Sequence, residues 1–154
     1  MRSRATSPLI GTALLVVLTV LIAGMMGTVL VDAGVDSPST TTRLSVSADA
    51  ATGRIVLTHD GGDALNVDTL DVRVQIDGQP LEQQPPIPFF ATSGFVSGPT
   101  GPLNSATNGV WTAGETGAFQ LAGTNAPQLA DGARVEITVS TEDAVVARLE
   151  TTAN

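Results

Sequence analysis

The chain begins with a long apolar run and then changes to alternating apolar and polar positions. Residues 9–31 contain no charged side chain and no histidine, and the run ends at Asp32. At about 1.5 Å per residue, an α-helix of this length spans roughly 35 Å, enough to cross a bilayer core of about 30 Å. The pattern therefore predicts a helix of transmembrane length.

Beyond this run, short segments follow a period of two, which is typical of half-buried β-strands. Residues 70–76 give the clearest strand, with four apolar side chains on one face, and Asp77-Gly78 is a hairpin-type turn. Residues 134–139 alternate again and are expected to pair with residues 145–149. The predicted fold class is α+β: one long N-terminal hydrophobic helix followed by a small antiparallel β-sandwich.

Two stretches interrupt these patterns. Residues 32–43 form a short polar segment with Gly34, Pro38 and a Ser/Thr cluster, which predicts a connector. Residues 79–109 hold six prolines and a Gly/Ser/Thr/Asn-rich tract, and three phenylalanines suggest that part of the segment packs on the sandwich. This loop is either an exposed tip used for surface contact or a tolerated insertion.

The composition limits the classes of molecule that could bind this chain. The chain has 15 Asp and Glu against 7 Arg, no lysine and no cysteine, and a net charge of −8. Such a charge repels nucleic acid phosphates and anionic lipid headgroups, so we expect no nucleic acid partner. An acidic surface without lysine is typical of a protein from an extreme halophile, where concentrated salt screens the repulsion. Without cysteine, packing alone must hold the fold.

The apolar run carries signals at its start and along one face. Arg2 and Arg4 precede it, so the positive-inside rule places the N-terminus in the cytoplasm and the residues after the run outside the cell membrane. The run is too long for an ordinary cleaved secretory signal. One helical stripe carries small residues that let another helix approach closely. This predicted helix-packing stripe consists of Thr12, Thr19, Ala23 and Gly27.

The stretch Arg4-Ala5-Thr6-Ser7-Pro8-Leu9-Ile10-Gly11, continuing into an apolar helix, resembles the N-terminus of archaeal type IV pilins, especially the haloarchaeal ones. The resemblance implies that a prepilin peptidase cuts between Arg4 and Ala5 and that the helix is retained. The helix would then pack with copies of itself or with other pilins in a filament core. Pro8 suits the first turn of a helix, where its missing N–H removes no hydrogen bond.

Two shorter stretches extend this resemblance. Residues 57–65 (LTHDGGDAL) are similar to a hairpin stretch of the haloarchaeal pilin domain, and residues 111–115 (WTAGE) to its later Trp-x-x-Gly-acidic element. Together with the N-terminus they cover three separate parts of the chain in the same order. Adhesion and cell–cell contact are the outputs that the resemblance implies.

No catalytic constellation is visible in the sequence. His59 lies beside Asp60, but no cysteine, lysine or nucleophile elbow accompanies it, so we interpret it as a strand-end residue. Asp60, Asp63 and Asp68 could offer oxygen ligands to calcium, although Asp and Gly cluster in turns for conformational reasons. Trp111 is interpreted as a core side chain. We therefore expect no enzyme, no catalytic residue, no cofactor and no metal.

These observations predict a leader peptide at 1–4, a transmembrane and filament-core helix at 5–31, a linker at 32–43 and an extracellular β-sandwich domain at 44–154. The function they favour is a type IV pilin-like structural subunit, located in the cell membrane and in a surface filament. The alternative is an uncut single-pass anchor that displays a β-sandwich binding module.

Overall fold

The computed structural model describes residues 7–32 and 41–154, and within the helix it describes the side chains of residues 10–23. The chain divides into two compact units, residues 1–39 and residues 40–154. The predicted linker at 32–43 falls across this division. Asp32 is the last helical residue, Thr42 begins the first strand, and residues 33–40 lie outside the described part.

The first unit contains helix α1, Ser7–Asp32. Pro8 lies in its first turn, where no intrahelical N–H bond is lost. The large apolar side chains described in this helix are exposed, from 48% for Ile22 to 70% for Leu14. Within the residues searched, which are those described, no helix is both long and apolar enough to cross a membrane.

The described part of the second unit, which we call the β-unit, contains nine strands in three antiparallel sheets. The three-stranded sheet has the order β1-β2-β7, the two-stranded sheet pairs β3 with β6, and the four-stranded sheet has the order β5-β4-β8-β9. The strands are β1 Thr42–Asp49, β2 Arg54–Gly62, β3 Leu65–Asn66, β4 Asp71–Ile76, β5 Gln79–Pro80, β6 Val110–Trp111, β7 Thr116–Gln120, β8 Arg134–Ser140 and β9 Val145–Thr152. Two 3-10 turns, Val67–Thr69 and Gly101–Leu103, join them.

Alternation along the strands explains the packing of the four-stranded sheet. Val72 and Val74 on β4 lie opposite Val139 and Ile137 on β8, and all four side chains are buried. The predicted turn at Asp77-Gly78 is confirmed, because both residues have positive φ and Ile76 pairs with Gln79 across them. The predicted pairing of residues 134–139 with 145–149 is also confirmed.

The Pro-rich segment 79–109 is an ordered cover over the free edge of β7. Thr100 and Ala118 exchange backbone hydrogen bonds of 2.8 and 3.3 Å, and Val96 N donates to Gln120 O at 2.9 Å. The same segment contributes buried apolar side chains to the core: Ile87, Phe89, Phe95 and Leu103. It is therefore part of the fold, and its role as an exposed contact tip or as a tolerated insertion stays a prediction.

The two larger sheets approach each other at their edge strands. Asn154, just after β9, donates to Ala48 O at 3.2 Å and accepts from Ala50 N at 3.0 Å. Asn154 thus hydrogen-bonds to the residue before Asp49 and to the residue after it, which is the hydrogen-bonding pattern of parallel strands. β9 therefore runs parallel to β1, and the hydrogen bonds between them lie where both strands end.

The predicted fold class, α+β with one long N-terminal hydrophobic helix and a small antiparallel β-sandwich, is wrong. The structure is mostly β, and its strands divide among three sheets. Turn residues interrupt the alternating pattern, so the described β-unit contains three strands of only two residues, β3, β5 and β6, besides the longer ones. A simple two-layer sandwich does not describe this arrangement.

Two phenylalanines of segment 79–109 test its role in the core. Phe95 is 5% exposed and packs its ring against Phe89 and Phe119 at centroid distances of 5.5 and 5.7 Å, whereas Phe90 is 59% exposed. Phe95→Ala is expected to lower the free energy of unfolding by about 3–5 kcal/mol, as for other buried phenylalanines. Phe90→Ala, the matched control, is expected to change it by about 0.5 kcal/mol or less. Urea unfolding of both variants measures the difference, and equal losses would contradict this packing.

Candidate functional site

The predicted processing site, Arg4 and Ala5, lies outside the described residues. Helix α1 begins at Ser7, two residues after Ala5. The structure therefore leaves the cleavage at Arg4 as a prediction from the sequence.

All four residues of the predicted helix-packing stripe lie within α1: Thr12, Thr19, Ala23 and Gly27. The Thr19 hydroxyl turns back on its own helix and donates to Leu15 O at 3.0 Å and Val16 O at 2.9 Å. Its one donor hydrogen is therefore used within the helix. The side chains around Gly27 are outside the described set, and close helix packing along this stripe stays a prediction.

In the β-unit, the two stretches that extend the pilin resemblance are brought together by the fold. The backbone N–H of His59 on β2 donates to Glu115 O at 3.0 Å, and Gly114 N donates to His59 O at 2.7 Å. Leu65 pairs with Trp111 in the adjacent two-stranded sheet. Residues 57–65 and 111–115 thus form one continuous structure, although about 50 residues separate them in the sequence.

The β-unit holds its first described residues through Asp63. Thr41 N donates to Asp63 Oδ2 at 3.1 Å, and Asp63 N donates to Thr41 O at 3.0 Å. The Thr42 hydroxyl donates to Asp63 O at 3.1 Å. Gly62 has φ +100°, and a Cβ there would lie 2.0 Å from Thr41 O, so only glycine lets the two segments approach so closely. The chain is therefore fixed to the end of β2 at the point where β1 begins.

His59 supports this attachment from inside. Its side chain is completely buried, and Nε2 lies 2.9 Å from Asp63 O. Because a carbonyl oxygen only accepts, Nε2 carries the proton, and Nδ1 is buried without a hydrogen-bond partner. The ring meets Trp111 edge-on at a centroid distance of 5.9 Å. The imidazole thus orients the Asp63 peptide.

Trp111 and Glu115 complete the site from the β6–β7 turn. Trp111 is completely buried, and its Nε1 donates to Glu115 O at 3.0 Å. The Glu115 carboxylate accepts from Thr112 N at 2.7 Å and from the Thr112 hydroxyl at 2.8 Å. These hydrogen bonds, the backbone one first, hold the pKa of Glu115 below its ordinary value.

We call this connected set the junction clamp: Thr41, Thr42, His59, Asp63, Trp111 and Glu115. Its links are hydrogen bonds to backbone atoms and one aromatic contact, which can fix a chain segment in place. In the part of the chain that the structure describes, no group of three or more His, Cys, Asp or Glu side chains is placed to hold a metal ion. The Asp63 carboxylate, one of the oxygens considered for calcium, is instead bonded to Thr41.

The sequence singles out His59, Asp63 and Trp111, but it does not show which chain segment they fix in place. The signal was local: two glycines before Asp63 indicate a backbone that needs a close approach. What the approaching segment would be could not be read from the sequence, because Thr41 precedes Asp63 by 22 residues in a polar stretch.

No known protein family matches this chain, and no characterised protein matches it.

Loss of the Asp63 carboxylate should loosen the start of β1. Asp63→Ala removes the acceptor for Thr41 N, and we expect a loss of about 1 kcal/mol in unfolding free energy, since the bond is charge-assisted but exposed. Hydrogen–deuterium exchange at the Thr41 amide is expected to accelerate. Asp60→Ala, an exposed neighbour, is the control. Equal protection of the Thr41 amide in both variants would contradict the clamp.

The Glu115 carboxylate should titrate below the ordinary glutamate range. Because its folded pKa is lowered, it contributes stability above the unfolded-state pKa, and this contribution is lost as the pH falls through the folded value. An NMR titration of the Glu115 side chain is expected to show the low midpoint. Thr112→Val, which removes the side-chain donor and keeps the backbone donor, is expected to raise this midpoint partway. An unchanged midpoint would show that Thr112 Oγ1 does not hold the carboxylate.

Proposed function

We propose that this chain is a type IV pilin-like structural subunit. A prepilin peptidase would cut it between Arg4 and Ala5, and the retained helix would assemble with other copies, or with other pilins, into a surface filament for adhesion. Before assembly the subunit would lie in the cell membrane with its N-terminus in the cytoplasm and its β-unit outside. This proposal rests on the resemblance of residues 4–11 to archaeal type IV pilins.

The structural observation that supports it is the exposure of α1. Apolar side chains on every side of the described helix are about half exposed or more, from Ile10 at 64% to Ile22 at 48%. Water-exposed apolar surface of this extent is unfavourable, so another apolar environment must cover it. Lipid would do so before assembly, and neighbouring helices would do so in a filament.

The start of α1 also supports the proposal. A cut after Arg4 falls before Ser7, so all of the described helix would stay in the mature chain. The mature chain would begin at Ala5 and would keep Pro8. A cut near Ala33 would instead discard the helix.

N-terminal sequencing of the protein from membrane and filament fractions tests the processing. A mature start at Ala5 is expected. A start at Met1 or Arg2 would favour the uncut single-pass anchor, and a start near Ala33 would contradict both functions. Arg4→Glu is expected to block the cut, which keeps the longer chain on a gel. Arg2→Glu changes the leader charge equally but lies away from the cut, and normal processing is expected for it.

The packing stripe can be tested separately from processing. Ala23→Leu fills the space through which another helix would approach, so we expect processed subunits that no longer form filaments. Ile22→Leu conserves volume on the opposite surface and should assemble normally. Electron microscopy of cell-surface filaments provides the measurement. Filaments of normal number and length in the Ala23→Leu variant would contradict packing along this stripe.

A further inference from the structure

We propose that the β-unit is built to withstand tension pulled through Thr41, because its fold places β1 and β9 in shear. The source of that tension rests on the proposed function: a subunit held by its helix and gripped through its β-unit is pulled at the covalent link between the two. That link reaches the β-unit at Thr41, the first described residue of this unit. The strands that resist the pull depend on the topology of the β-unit and on the point at which the unit is gripped.

Tension between Thr41 and the far end of β1 acts along the axis of this strand. The strand pairs with β2 from Thr42 opposite Gly62 to Asp49 opposite Arg54, with one β-bulge between Arg43 and Leu44. At about 3.3 Å per residue, these eight residues extend roughly 25 Å away from the point of pull. A force along a strand strains all of its cross-strand hydrogen bonds together. A force across the strand would break them one pair at a time.

The end of β1 farthest from Thr41 lies beside Asn154. Its backbone hydrogen bonds to Ala48 and Ala50 place it where β1 ends, so Thr41 and Asn154 lie at opposite ends of two parallel strands. β9 is held by β8 in turn, from Arg134 opposite Thr152 to Ser140 opposite Val145. Tension between the two ends therefore shears the β1–β2 and β8–β9 pairings simultaneously.

The junction clamp prevents the pull from becoming a peeling motion. The Asp63 backbone N–H and carboxylate hold Thr41 O and Thr41 N, and Asp63 O accepts from the Thr42 hydroxyl. The buried His59 ring fixes the same Asp63 carbonyl. These contacts lie at the one end of β1 from which the strand could be lifted off β2.

The core resists lifting for a second reason. Leu44 and Ala48 of β1 are 7% and 3% exposed and belong to the same buried cluster as Ile55 and Leu57 of β2. Raising β1 would expose these side chains to water before the far pairs of the strand had broken. Shear resistance and core burial therefore act on the same strand.

Single-molecule force spectroscopy tests this proposal on the full chain held in detergent micelles. The protein has no cysteine, so paired handles attach only at introduced sites. Handles at Thr41→Cys and Asn154→Cys load β1 and β9 in shear. Handles at Thr41→Cys and Asp60→Cys lie at the same end of the β1–β2 hairpin and peel it open. We expect a several-fold higher rupture force for the first pair at the same pulling rate, because forced unfolding is governed by the unfolding barrier.

A second comparison of rupture forces tests the contribution of the junction clamp. In the shear geometry, Asp63→Ala is expected to lower the rupture force, whereas Asp60→Ala, the exposed neighbour, should leave it unchanged. Equal rupture forces for the two handle pairs would overturn the proposal. Loss of filaments with a preserved difference in force would count against the pilin function alone. Filaments that form from subunits with no such difference would count against the mechanical role alone.

Discussion

The backbone exchange between Asp63 and Thr41 is the constraint on which much of the β-unit depends. It pairs the residue after β2 with the residue before β1, and so sets where the pairing of these two strands begins. After a β-bulge between Arg43 and Leu44, the pairing continues with Leu44 and Ala48 facing the core. A slip of one residue in that register would turn them to the solvent. The buried His59 ring donates to the Asp63 carbonyl from the inner side, and Trp111 packs edge-on against that ring.

Two of the sheet edges, β7 and β1, receive hydrogen bonds from other segments of the β-unit. Residues of segment 79–109 form backbone hydrogen bonds with β7, and Asn154 forms them with the end of β1. Both partners belong to the β-unit itself. Edge strands that are left open invite pairing with other chains. In the proposed filament, such covers would let neighbouring β-units lie close together without exchanging strands.

Charge contributes little to holding the described residues together. Two ion pairs occur among them, Arg73 with Asp71 and Arg134 with Glu150, and all four side chains are more than half exposed. Exposed pairs of this kind are weak and are screened further by salt. The junction clamp and the core depend on backbone hydrogen bonds and apolar burial instead. Concentrated salt would therefore leave the main stabilising contacts intact while it reduced repulsion within a chain of net charge −8.

The sequence alone determined the features that depend on neighbouring residues. Alternation located β4, β8 and β9, Asp77-Gly78 located a turn, and the apolar run located a helix, because strand, turn and helix preferences act over a few residues. It also supplied the pilin resemblance, which the fold leaves as a proposal. The fold class was wrong because the way in which short strands divide among sheets depends on contacts between distant segments. Only the tertiary structure placed segment 79–109 along β7, His59 beneath the Asp63 carbonyl, and Thr41 against the end of β2. Each of these contacts joins residues whose spacing in the chain carries no periodic signal, so burial and backbone hydrogen bonding decided them.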